Sequence, residues 1–151
     1  MEESMKTLGS CFCHAVEFSI VGEIPAPWNC YCRNCTKLHG APLATHTIIN
    51  TKNFQWEKGF EHVSYIESSS KNFRNFCKKC GSQLVVINQN YPNTIVIVYT
   101  ALDSQSLSTP VGELFISSKA SWIRLNGSIP QYDKYPPEEI WNEYVDKWSL
   151  L

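Results

Sequence analysis

Three of the seven cysteines lie within six residues, in the segment CYCRNC at positions 30–35. Cysteine thiolates are good ligands for zinc, which is normally bound by four ligands in proteins. Three ligands on one tight loop leave a fourth position open, as in catalytic zinc sites. Cys30, Cys32 and Cys35 are therefore candidate ligands of a metal ion that reacts with a substrate. The alternative is a closed site that a histidine or a shared cysteine completes.

The other four cysteines form two close pairs that can make a separate metal site. Cys77 and Cys80 belong to the segment CKKCG, a Cys-x₂-Cys-Gly half-site of the zinc-knuckle type. Gly81 permits a left-handed turn that brings backbone N–H groups toward the thiolates. Cys11 and Cys13 are two residues apart at the start of a predicted strand, so their side chains share a face. Four cysteines predict a closed, structural site, and buried free thiols are the alternative.

A histidine could close the three-cysteine site. The sequence contains four histidines, and His39 is the nearest to the cluster, four residues after Cys35. A single histidine is more often an ordinary surface or core residue than a metal ligand. We therefore expect a water molecule or a thiol from outside the protein in the fourth position.

Length, charge and cysteine usage limit the class of protein. A chain of 151 residues with 43% hydrophobic residues is typical of one ordinary domain. A net charge of −1 without basic runs predicts no strong binding to nucleic acid. We expect no membrane segment, because no apolar run approaches about 18 residues. The odd number of cysteines disfavours disulfides, and we expect a cytoplasmic protein that is small enough to reach the nucleus too.

Alternating apolar residues predict seven or eight short strands and few helices, which indicates a mainly β fold with two antiparallel sheets. The predicted strands lie at 15–22, 42–50, 60–68, 72–77, 82–88, 94–102 and 112–117, with a turn-containing piece at 122–132. A short helix is expected at 32–40, ending at Gly40. A C-terminal helix is expected at 136–148, docked through a stripe formed by Ile140, Trp141, Tyr144, Val145 and Trp148.

The order of these motifs resembles the glutathione-dependent formaldehyde-activating enzyme (GFA) family, which includes centromere protein V. The resemblance rests on GSCFCHAVEFSI, CYCRNCTKLHGAP, NFRNFCKKCGSQL and SSKASWIRL, and it runs from about Gly9 to Leu125. It implies a zinc-bearing β-tent, one domain over 1–151 with its core at about 9–132 and a helix at about 137–148. Tyr31 stands where the family usually has histidine, and His14 stands where it usually has glycine.

The resemblance also implies two zinc ions in each chain and an activity. The structural zinc is assigned to Cys11, Cys13, Cys77 and Cys80. The second zinc, which is catalytic, is assigned to Cys30, Cys32 and Cys35. The implied activity is that of S-(hydroxymethyl)glutathione synthase, a carbon–sulfur lyase that joins or releases a small aldehyde and a thiol such as glutathione.

Two hypotheses of function follow from the sequence. The first is the zinc-dependent enzyme, and the second is a non-catalytic zinc module that binds a protein or chromatin partner. An enzyme that binds glutathione needs cations or N–H donors for its two carboxylates. Five basic residues near the motifs are candidates, with solvated surface charges as the alternative: Arg33, Lys37, Lys71, Arg74 and Lys119.

Overall fold

A computed structural model describes residues 5–104 and 107–150 of the chain. The remaining positions of the predicted 1–151 domain lie outside the described residues. Within the described part, ten strands and two α-helices follow one another along the chain. The strands are β1 (Lys6–Ser10), β2 (Glu17–Val21), β3 (Trp28–Cys30), β4 (Ala44–Asn50), β5 (Phe54–Lys58), β6 (Val63–Ser69), β7 (Asn72–Cys77), β8 (Gln83–Asn88), β9 (Thr94–Val98) and β10 (Glu113–Leu114). The helices are α1 (Arg33–His39) and α2 (Glu138–Trp148).

The strands form two sheets, which confirms the predicted mainly β fold. The small sheet has the order β1-β2-β5, and the large sheet has the order β10-β3-β4-β9-β8-β7-β6. Neighbouring strands are antiparallel, except that the two-residue strand β10 pairs parallel with β3. Neither helix in the described part of the chain is long and apolar enough to cross a membrane.

The main core lies between the two sheets. Val16, Phe18 and Ile20 are completely buried, as the alternation of β2 predicts. The ring of Phe18 stacks on that of Phe54, with centroids 5.4 Å apart. From the large sheet, the odd-numbered residues of β9, such as Ile97, join the same core cluster. This face of the large sheet is therefore filled by the small sheet.

The opposite face of the large sheet packs partly against α2. Trp28 of β3 lies 5.2 Å from Tyr144, measured between ring centroids, and Val145 is buried in the same cluster. The Tyr144 hydroxyl donates a hydrogen bond to the Ala26 carbonyl at 2.6 Å. The C-terminal helix is thus docked on its own sheet, as predicted. The prediction was wrong for Ile140, which is 38% exposed because it lies about 90° from the centre of the apolar stripe.

Several predicted strands are shorter than their apolar runs. The segment 94–102 leaves the sheet after Val98 and continues as a 3₁₀ turn, Tyr99–Ala101. The segment 112–117 pairs only over Glu113–Leu114, because Phe115 adopts a left-handed conformation with φ of 58°. The segment 60–68 begins as a 3₁₀ turn before β6. The strands β1, β3 and β5 were not predicted.

Candidate metal centres and the adjoining cavity

The sulfur atoms of four cysteines lie within 4.8 Å of one another: Cys11, Cys13, Cys77 and Cys80. The Cys11 and Cys13 sulfurs are 3.6 Å apart, and the Cys13 and Cys77 sulfurs are 3.8 Å apart. A tetrahedral zinc site with bonds of about 2.3 Å places its sulfur atoms about 3.8 Å apart. The four-cysteine cluster therefore has the dimensions to hold a zinc ion.

Two tight turns place these four sulfurs. One turn follows β1 in the small sheet, and the other joins β7 to β8 in the large sheet. Gly81 has a φ of 82°, as the sequence predicted for a left-handed turn beside the thiolates. His14 also has a positive φ, 61°, which explains why glycine suits this position in the family. The cluster thus connects the two sheets at one end of the core.

Hydrogen bonds and burial shift the pKa values of Cys77 and Cys80 in opposite directions. Burial opposes ionisation of Cys80, but hydrogen bonds from the Ser82 hydroxyl and from backbone N–H groups lower its pKa to about 6. The Ser82 oxygen lies 3.2 Å from the Cys80 sulfur. For Cys77, burial dominates and raises the pKa to about 11. A cation in the cluster would favour the thiolate at both positions.

The three-cysteine cluster comes from one short segment that runs from the end of β3 into the start of α1. Cys30 is the last residue of β3, Cys32 caps the N-terminus of α1 and Cys35 lies in the helix. The Cys32 sulfur accepts a hydrogen bond from the Cys35 backbone N–H at 3.4 Å, which starts the helix. The helix ends at Gly40 in a left-handed conformation, as predicted. The three sulfurs lie within 4.8 Å of one another and could hold a metal ion.

The thiols of the three-cysteine cluster form hydrogen bonds with one another. Hydrogen bonds from Cys30 and Cys35 lower the pKa of Cys32 to about 2, and the positive charge of Arg74 acts in the same direction. The pKa of Cys30 is raised, because its thiol donates to Cys32 and is buried. The cluster therefore stabilises a thiolate at Cys32, and thiolates are the form in which cysteines bind metals.

Arg74 is the residue of β7 that contacts this cluster. Its Nη1 and Nη2 atoms each donate to the Cys35 sulfur at 3.5 Å, and its Nε donates to the Ser68 hydroxyl at 3.0 Å. The residue is only 6% exposed. Three thiolates and one Zn²⁺ carry a net charge of −1, which the guanidinium can balance. Arg74 is therefore not the solvated surface charge that the sequence left as the alternative.

His39 and His46 form a half-buried pair beside the cluster. Their ring centroids are 5.6 Å apart, and each Nε2 atom is buried without a hydrogen-bond partner among the described residues. Burial lowers the pKa of both imidazoles, that of His46 to about 3. Both rings are therefore neutral at physiological pH. Within the described chain, the group of potential ligand atoms within 4.8 Å of one another contains the three cysteines and not His39.

A cavity of about 840 Å³ opens beside the three-cysteine cluster on the α2-facing side of the large sheet. The residues of its floor are even-numbered, such as Arg74 of β7, Val86 of β8, Val96 of β9 and His46 of β4. Side chains of one parity share a face of a strand, so neighbouring strands of the large sheet bring these residues together here. All three cysteines line this cavity.

Tyr31, which replaces the usual family histidine, points away from this cavity. It is 2% exposed, and its hydroxyl donates a hydrogen bond to the Glu113 carboxylate at 3.1 Å. Asn29 donates to the same carboxylate at 3.3 Å. Burial, together with the hydrogen bond and the charge of Glu113, raises the pKa of Tyr31 to about 12. At this position the residue connects β3 to β10.

The fold and its two sulfur clusters define a mainly β protein with two candidate cysteine-ligated metal sites. The family model for the glutathione-dependent formaldehyde-activating enzyme matches residues 6–118, and the chain belongs to this family.

Two individual proteins resemble this chain, one in sequence and one in fold. A Halomonas elongata protein, named "Putative glutathione-dependent formaldehyde-activating enzyme", is 29% identical over 141 residues, which cover 87% of this chain and 90% of that protein. The crystal structure of a Rhodobacter sphaeroides protein has a TM-score of 0.54 at 17% identity, and the match covers 85% of this chain and 100% of that one. At this identity the second comparison supports the fold alone.

Proposed function

We propose that the protein binds two zinc ions and catalyses the addition of a thiol to a small aldehyde, and the reverse cleavage, as a carbon–sulfur lyase. The observation that carries the proposal is the position of Cys30, Cys32 and Cys35 on the wall of a cavity large enough for a small-molecule substrate. The family supports this reaction type. The name of the Halomonas elongata relative makes glutathione and formaldehyde the first reactants to test.

The two clusters have different roles in this proposal. Cys11, Cys13, Cys77 and Cys80 hold a structural zinc with four sulfur ligands and help to fix one domain over residues 1–151. Cys30, Cys32 and Cys35 hold the second zinc and leave it one free position. When bound there, zinc supplies a Lewis acid that favours the thiolate form of an incoming thiol. Arg74 stabilises the negative charge of this centre through Cys35.

The reaction needs no oxidant or reductant. The thiol sulfur forms a bond to the carbonyl carbon, the C=O bond becomes a C–O single bond, and the thiol proton moves to that oxygen. The cleavage reverses each change. His46 lines the cavity as a neutral imidazole, because burial lowers its pKa to about 3.

Exchange NMR tests the proposed reaction directly. The rate of exchange between a thiol and its S-hydroxymethyl adduct is measured with zinc-loaded protein, with glutathione and separately with an uncharged thiol. We expect faster exchange than in buffer, and we expect Cys32→Ala to abolish the increase while the protein stays folded. If the zinc-loaded wild type accelerates neither exchange, the non-catalytic zinc module replaces the enzyme.

A further inference from the structure

The cavity beside the three-cysteine cluster is mainly apolar on the side formed by α2 and β3. Trp28 and Trp141 lie on this side with ring centroids 6.2 Å apart. Val145 and Leu150 extend the apolar surface, and Phe115 adds a third aromatic ring. Aromatic walls of this kind contribute binding energy to apolar and aromatic ligands.

The opposite side of the cavity is polar but uncharged. Asn34, Asn72 and Asn88 line it together with Ser69. The Asn88 amide donates to the Asn72 side-chain oxygen at 3.4 Å, and the Asn72 amide donates to the Ser68 hydroxyl at 3.2 Å. The Asn88, Asn72 and Ser68 side chains are therefore linked in a row, and Asn34 donates to the Ser68 carbonyl at 3.4 Å. They offer dipoles to a ligand, but no positive charge for a carboxylate.

The charges of the cavity are unfavourable for an anionic ligand. Among its described lining residues, Arg74 is the one cation, and it is already bound to Cys35 and Ser68. Glu138, at the exposed start of α2, places a negative charge at the cavity.

The other basic residues that the sequence suggested for glutathione do not line this cavity. Arg33 donates to Thr36, and the ammonium group of Lys119 donates to the carbonyl groups of Ala120 and Ile123. Glutathione carries two carboxylates and one ammonium group, and a buried carboxylate without a partner is costly. Its charges therefore match the described cavity poorly.

We propose that the thiol taken by this cavity is uncharged and carries an aromatic group, and that glutathione is a poor substrate of this chain. The inference rests on the proposed function, because it names the thiol for the same addition to an aldehyde. The sulfur–carbon bond forms as before, and the thiol proton moves to the aldehyde oxygen. A volume of about 840 Å³ is ample for an aromatic ring beside the three sulfurs.

Turnover is compared with two thiols, phenylmethanethiol and glutathione, each with formaldehyde and the zinc-loaded protein. We expect kcat/KM for phenylmethanethiol to exceed that for glutathione by more than about tenfold, since one unpaired carboxylate alone costs at least a factor of ten. An equal or higher value for glutathione would overturn the inference while leaving the proposed function standing.

A binding measurement without turnover decides the same question. The fluorescence of Trp28 and Trp141 reports on the cavity, and Trp141→Phe removes the contribution of the cavity-lining tryptophan of α2, since Trp148 of the same helix does not line the cavity. Benzyl methyl sulfide, which lacks a reactive thiol, is expected to bind more than about tenfold more tightly than S-methylglutathione. Equal binding, or tighter binding of S-methylglutathione, overturns the inference. This result does not depend on turnover, because the absence of turnover with both thiols would instead contradict the proposed function.

A matched pair of charge reversals sharpens the test. Glu138 lines the cavity, whereas its neighbour Glu139 is exposed and does not. Both lie in the first turn of α2, so both substitutions remove the same favourable charge from the helix N-terminus. Glu138→Lys is expected to raise the ratio of glutathione to phenylmethanethiol turnover by about threefold, and Glu139→Lys is expected to leave it unchanged. The same ratio in both variants would contradict the proposed electrostatic selection.

Discussion

The four-cysteine and three-cysteine clusters use the same donor atom but are built from different parts of the chain. The first joins turns that are 64 residues apart in sequence and belong to different sheets. The second lies within six consecutive residues and lines a cavity. When a metal connects distant segments, its binding free energy adds to the free energy of folding. A metal on one local segment contributes less to the fold and can keep a position for a ligand.

The largest effect is expected when the two clusters are damaged separately. Cys77→Ala should unfold the domain, because structural zinc contributes about 10–16 kcal/mol against a net stability of about 5–15 kcal/mol. Cys32→Ala should remain folded with about one zinc ion fewer. Circular dichroism and metal analysis of both purified variants check this. A soluble, fully folded Cys77→Ala protein would contradict the structural role of the first cluster.

Arg74→Met should weaken only the three-cysteine site. The substitution removes two hydrogen bonds to the Cys35 sulfur and the charge that balances the cluster. Loss of such a partner lowers metal affinity by about 10–100-fold. Competition with a chelator measures the zinc affinity of each site. The control is Arg33→Met, because Arg33 is an exposed arginine of α1, the helix that contains Cys35. If Arg74→Met and Arg33→Met hold zinc equally well, Arg74 has no part in the metal site.

Tyr31→Phe should lower the free energy of unfolding without changing the amount of metal bound at either cysteine cluster. The Glu113 carboxylate loses a buried donor, which costs about 1–3 kcal/mol. Denaturant unfolding measures the loss, with Tyr65→Phe as a control because Tyr65 is exposed.

The same substitution should change the response to alkaline pH. The pKa of Tyr31 is raised to about 12 in the folded protein, above its ordinary value of about 10. Its contribution is therefore complete below pH 10 and is lost as the pH rises to about 12. The wild type should lose stability more steeply than Tyr31→Phe over this range. Equal slopes would indicate that the Tyr31–Glu113 contact is not the cause.

The smallest effect concerns DNA. A net charge of −1 without a basic run should give no binding to duplex DNA tighter than about 1 µM at physiological salt. Fluorescence anisotropy with a labelled duplex checks this. Tighter binding would show that folding assembles a basic face, and it would favour the chromatin-binding module over the enzyme.

The sequence predicts those parts of the fold that have a local pattern. The alternation of β2 and the apolar stripe of α2 are local, and both elements were predicted. Of the missed strands, β3 has only three residues, whereas β1 and β5 have five, as the predicted strand β2 has. β3 follows two prolines at positions 25 and 27, and β1 contains a glycine that packs under the Phe18 ring, where a Cβ atom would lie only 2.1 Å away. Such segments form strands because their neighbours in the sheet pair with them.

The candidate site likewise has a part that can be predicted from local sequence and a part that cannot. The local half-sites can be predicted from spacing, because chelation by Cys-x-Cys and Cys-x₂-Cys is a local property. The folded chain then brings the Cys11–Cys13 and Cys77–Cys80 half-sites into one cluster across 64 positions. The role of Arg74 could not be predicted, since it reaches Cys35 from 39 positions away through the register of the large sheet. The cavity depends on side chains from the seven strands of the large sheet and on α2, so its apolar character appears only in the folded chain.

Cobalt substitution tests the central claim that the three-cysteine site has a position for a thiol and the four-cysteine site does not. Both zinc ions are replaced by cobalt, and phenylmethanethiol and glutathione are added separately to the wild type and to Cys32→Ala. We predict that thiol addition changes the ligand-field spectrum of the wild type but not that of Cys32→Ala. Benzyl methyl sulfide, which has no thiol proton to lose, should have a much smaller effect. An unchanged wild-type spectrum at saturating concentrations of both thiols, together with zinc loss in His39→Ala, would mean that His39 closes the site and would contradict the account.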